Sequence, residues 1–113
     1  MQSLLHRLGW AALAATLVSG SAFAGDAAKG KVAFVKNGCY QCHGFVGQGG
    51  AGAKLAPKPL PLEAMVSFVR STNRQMPPYS EQILSNNDLD DIHAYLESIP
   101  VGPDPKSIPL LNP

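Results

Sequence analysis

Strand signals are nearly absent from this sequence: no segment alternates apolar and polar residues for long enough to suggest a sheet. Runs of basic residues are absent too, which removes nucleic acid as an expected partner. The one leading apolar run, Leu8 to Val18, is about half the ~20 residues that cross a bilayer. Cysteine occurs only at Cys39 and Cys42 and histidine only at His6, His43 and His93, so a structural zinc site, which needs a second ligand pair, has nothing to complete it. No internal repeat and no second domain are visible.

What the chain does have is concentrated in Cys39-Tyr40-Gln41-Cys42-His43. Cys-x-x-Cys-His reads as a covalent c-type haem attachment site. Two thiols on one tight turn can each add to one vinyl group on a haem edge, and the next residue can then bring its imidazole under the iron. A redox dithiol would want a thioredoxin-like βαβ setting, and the strand pattern for it is missing. A plain disulfide leaves His43 without a reason. The cysteines are therefore expected as thioethers to one haem c.

Residues 1–24 have the layout of a signal peptide: His6 and Arg7, the apolar run, then Ala22-Phe23-Ala24 as a small-x-small cleavage site. Cleavage after Ala24 implies export, and the mature chain is expected in the periplasm with no transmembrane segment. Without Arg7, basic and acidic residues balance. Lys29, Lys31, Lys36, Lys54 and Lys58 lie in the first part of the mature chain, while all its acidic residues but Asp26 follow Pro61. Such an arrangement can make a dipole that orients against a partner, or simply two solvated faces. A domain this small buries little apolar surface on its own, and a covalent haem would supply a large apolar body.

Asp26 is expected to cap a first helix with Ala28, Val32 and Val35 on one face, ending near Asn37-Gly38. The glycines of residues 44–53 predict a flexible loop close to something bulky; no strand precedes it and it lacks a Walker lysine, which argues against phosphate. Prolines 57, 59 and 61 make an extended segment. A second long helix is predicted over residues 62–70, with Leu62, Met65, Val66 and Val69 as its core stripe. A third opens at Ser85 with a capping-box-like pattern, buries Leu89, Ile92, Leu96 and Ile99, and stops at Pro100. The expected domain is 25–100, and the proline-rich tail 101–113 is expected to run extended over the surface, its apolar end, Ile108 to Leu111, docking on the body or on a partner.

His43 gives an iron one axial ligand, and c-type cytochromes commonly use methionine opposite. Met65 sits in a helical core stripe. Met76 sits in a proline-braced loop, Met76-Pro77-Pro78-Tyr79, and is the expected sixth ligand. His93 is the rival, but its place on an acidic helix suits a partly exposed surface histidine.

On these features the mature chain resembles a small class I cytochrome c over nearly its full length. In that family a glycine and an aromatic on the first helix pack against an aliphatic and an aromatic on the last; Gly30 and Phe34, with Ile92 and Tyr95, match them. The family's Gly-Pro-x-Leu, whose proline carbonyl accepts a hydrogen bond from the ligand imidazole, is Gly52-Ala53-Lys54-Leu55 here. Ala53 is a departure, so which residue provides that carbonyl is left open. The resemblance implies an all-α fold, three main helices around one covalent haem, and outer-sphere electron transfer with no substrate bound. It also makes Arg70, Arg74 and Tyr79 candidates for the haem propionates.

The function expected is electron transfer by a periplasmic monohaem cytochrome. It would act as a free carrier or as the small subunit of a dehydrogenase complex, and not itself as an enzyme. A periplasmic dehydrogenase is the expected donor and an oxidase or another cytochrome the acceptor. The competing expectation is a gas-binding or peroxidase-like haem with an open sixth position.

Overall fold

In the computed structural model, residues 24–112 are described; the expected signal peptide, apart from Ala24, lies outside them. Asp26 starts α1, Ala27–Lys36, its carboxylate accepting from the amides of Ala28 and Lys29. Those amides would otherwise lack partners in the first turn. The amide bonds hold the Asp26 carboxyl below the usual carboxylate range, chiefly through Lys29. Asn37 closes α1, and Gly38, at φ 76°, takes the left-handed conformation that turns the chain into α2, Cys39–His43. A residue with a Cβ would be strained there.

Pro61 precedes α3, Leu62–Ser71, and Ser85 caps α4, Asn86–Ser98. The Ser85 hydroxyl accepts from the Asp88 amide at 3.0 Å and donates to the Asp88 carboxylate at 2.9 Å. Here the acidic partner binds the serine hydroxyl, a variant of the expected reciprocal cap. The fold is all-helical, with α1, α3 and α4 as the main helices and α2 as the short segment that they position. Among the described residues no helix is long and apolar enough to cross a membrane.

The core lies where α1 crosses α4. Phe34, Leu84, Leu89 and Leu96 are essentially fully buried, with Ala33, Ala56, Val69, Ile92 and Tyr95 around them. The rings of Phe34 and Tyr95 meet at 5.7 Å between centroids, tilted by 58°, a favourable aromatic arrangement. Gly30 lets the two backbones approach: a Cβ there would run into the Asp91 carbonyl and come within 2.8 Å of the Ile92 nitrogen. The amide of Asp26 also donates to the Asp91 carboxylate at 2.6 Å.

Two expectations change. The docking face of α1 is Gly30, Ala33 and Phe34; Ala28, Val32 and Val35 are exposed, Val32 by 66%. Close backbone packing, not apolarity, selected the face. The tail is not uniformly extended either: it forms two 3-10 turns, Pro105–Ser107 and Pro109–Leu111. Asp104 caps the first, and the Asn112 side-chain amide donates to the carbonyls of Pro105 and Ile108. Ile108 is half-buried, whereas Leu110 is exposed.

Candidate haem site

The five residues of α2 are held by what surrounds them. After His43 the chain reverses at Gly44, and the glycine-rich loop folds back: the amide of Gly49 donates to the His43 carbonyl at 2.8 Å, and that of Gly52 to the Cys42 carbonyl at 2.7 Å. Gly52 lies against the imidazole; a Cβ there would be 2.9 Å from its Cε1 and 3.2 Å from the Cys42 Cβ. This close approach brings the Ala53 carbonyl to His43, whose Nδ1–H donates to it at 2.7 Å. A carbonyl can only accept, so Nδ1 carries the proton and Nε2 presents a lone pair. Among the described residues Nε2 has no protein partner. Ala53 thus does what the proline does in the family pattern, because the side chain takes no part in the bond.

Within the same segment, Tyr40 stacks on Phe45, centroids 4.5 Å apart and planes 25° from parallel. The Tyr95 hydroxyl donates to the Phe45 carbonyl at 2.8 Å, tying the exit from α2 to α4. Cys39 is half-buried, and burial pushes its thiol up. A thiolate ligand or a reactive dithiol would want the opposite shift; a neutral thioether suits an apolar setting. Among the described residues no three or more His, Cys, Asp or Glu side chains gather as a metal-binding group.

Cys39, Leu55, Met65, Met76 and Tyr79 all pack against the central cluster while remaining half-exposed. The same domain presents a pair of free thiols and an imidazole whose Nδ1 is engaged by Ala53. That donor set fits a covalently attached haem. Residues 25–96 match the sequence model of a family described as cytochrome c oxidase, cbb3-type, subunit III. The chain belongs to this cytochrome c family. No curated protein and no solved structure matches it significantly.

This cytochrome carries covalent haem c, and its general activity is electron transfer. His93 is engaged away from the attachment turn: its Nε2–H donates to the Leu60 carbonyl at 2.9 Å, and the Glu97 carboxylate lies 3.5 Å from Nδ1. Two propionate candidates also have other work. Arg70 donates to the Tyr79 carbonyl at 2.9 Å and to the Asn86 side chain at 2.7 Å. The Tyr79 hydroxyl donates to the Asn37 carbonyl at 3.0 Å. Burial pushes the Tyr79 phenol up. Arg74 is exposed. Sequence reasoning missed the Arg70 and Tyr79 contacts because their acceptors include main-chain carbonyls, which no residue pattern reports.

Proposed function

We propose that this cytochrome is an exported one-electron carrier. In it Cys39 and Cys42 hold the haem through thioethers, and His43 and Met76 are the axial ligands of the iron. The observation that carries the reading is the bond from His43 to Ala53, which orients the ring, fixes its tautomer and leaves Nε2 as a ligand of raised basicity. Met76, at the margin of the same apolar cluster, is the soft ligand that favours the reduced iron. The haem supplies reversible one-electron chemistry; the protein holds both ligands, shields the group from water and limits rearrangement between the two oxidation states.

The domain proper is residues 25–100, and the tail 101–113 is a separate surface appendage. Export to the periplasm with cleavage after Ala24 completes the reading, with a periplasmic dehydrogenase as donor and an oxidase or another cytochrome as acceptor. The carrier performs no chemistry on a substrate of its own.

The optical spectrum of the ferric protein tests this directly. A weak far-red charge-transfer band is expected from methionine sulfur on ferric haem, and it should vanish in Met76→Ala. Absence of the band, with ready carbon monoxide binding by the ferrous form, would indicate an open sixth position and favour gas binding or peroxidase-like chemistry.

Lys54 and Lys58 are exposed on the segment after the glycine loop, suited to an acidic partner. Exchanging both for glutamate should slow electron exchange with such a partner by about tenfold at low ionic strength, the difference fading as salt screens the charges. Stopped-flow rates across a salt series read this out; equal rates at low salt would remove the lysines from the docking surface.

A further inference from the structure

We propose that Tyr79 is a positioning residue that latches the Met76 loop to the haem-attachment segment and so governs how readily the sixth iron position opens. The proposal rests on Met76 being the axial ligand. Tyr79 is held at three points by two parts of the chain, α3 and the end of α1. Its amide donates to the Val69 carbonyl in α3 at 3.0 Å. Its carbonyl accepts from Arg70 at 2.9 Å. Its hydroxyl donates to the Asn37 carbonyl at 3.0 Å, at the end of α1 and just before Cys39.

Both ends of the phenol contact are rigid. Asn37 is fixed by its own amide and by its side chain, which donates to the Ala33 carbonyl at 2.8 Å. Its carbonyl is one of the acceptors a helix end leaves without a partner, and Tyr79 satisfies it. Arg70 is braced in turn by Asn86, whose amide donates to Glu81 at 3.1 Å. Only Pro77 and Pro78 separate Met76 from this anchor, and both have a locked φ. Carrying the Met76 backbone away from this position is therefore resisted by two locked φ angles and by the hold on Tyr79, and the side chain's own rotations are left as the easier route only while that backbone stays in place. The latch joins the loop carrying one axial ligand to the segment that carries the thioethers and the other ligand.

The test uses the holoprotein and reads ligand exchange instead of electron transfer. Imidazole is titrated into the ferric protein, and loss of the far-red band reports displacement of Met76. Tyr79→Phe keeps the ring and removes the hydroxyl; it should retain the band without imidazole yet raise the apparent imidazole affinity about five- to tenfold, as expected for losing one hydrogen bond. Arg70→Gln, which frees the Tyr79 carbonyl, should shift the affinity in the same direction. Tyr95→Phe removes an equivalent tyrosine-to-carbonyl bond outside the Met76 loop; it should lower the melting temperature comparably and leave imidazole affinity unchanged. Wild-type affinity in both Tyr79→Phe and Arg70→Gln, or an equal rise in Tyr95→Phe, would overturn the latch. A wild-type ferric protein with no far-red band would overturn the Met76 assignment and the latch with it.

Discussion

With Cys39 and Cys42 both replaced by alanine, the chain should show no haem stain on a denaturing gel, and less than half of it should be folded at room temperature. The stain follows from the chemistry: without thioethers any bound haem leaves with the denaturant. The folding deficit follows from size. The buried apolar cluster consists of Ala33, Phe34, Ala56, Val69, Leu84, Leu89, Ile92, Tyr95 and Leu96. A core of that extent supplies only about 3–5 kcal/mol in a domain below ~80 residues. The half-exposed Leu55, Met65 and Met76 then lack the apolar body that would cover them, and removing it costs about 25 cal/mol for each Å² left wet. Circular dichroism melts of the double variant beside the holoprotein measure the deficit, and retained stain would refute the attachment.

Gly30→Ala should destabilise the holoprotein by about 1–2 kcal/mol, although alanine is the better helix former. On propensity alone the change would gain about 1 kcal/mol. Against that, the new methyl group meets the backbone of α4 at Asp91 and Ile92, which cannot turn aside as a flexible side chain can. Forced overpacking of this kind costs about 1–3 kcal/mol and sometimes more, and here it disturbs the contact around which the core is built. Ala28→Gly, on the exposed side of the same helix, should cost about 1 kcal/mol. Alanine is thus preferred at one position and glycine at the other, two residues apart. Guanidinium denaturation of the three proteins shows both, and a Gly30→Ala variant as stable as the parent would mean that α1 and α4 have room to separate.

Most of the architecture could be read from local chemistry. Asp26, Pro61, Ser85 and Pro100 mark helix boundaries by their own side chains, and the boundaries fall within a residue or two of where those residues put them. The covalent cofactor was legible in five adjacent residues, and the family match agrees. What could not be read depends on chain path. Apolarity pointed to Val32 and Val35 on α1, because sequence periodicity counts hydrophobic side chains and overlooks the closeness that Gly30 and Ala33 allow. The acceptor for His43 was undecided because a carbonyl belongs to every residue; the course of the glycine loop selects Ala53. Arg70 and Tyr79 were legible only as propionate candidates for the same reason, because their acceptors include main-chain carbonyls. In the tail, prolines suggested extension, but Asp104 and Asn112 close turns around them.

The contact between the first and last helices also bears on the order in which the molecule can assemble. Asp26 and Asp91 are 65 positions apart in sequence, and Gly30 waits for the same stretch of α4. A chain emerging from its amino end therefore presents α1 and the cysteine pair well before their docking surface exists. Closing so long an interval carries an entropic toll of several kcal/mol, which the α1–α4 contact must offset. The thiols are consequently reachable before α4 packs on α1, and the exposure of Cys42 in the folded chain leaves that one reachable afterwards.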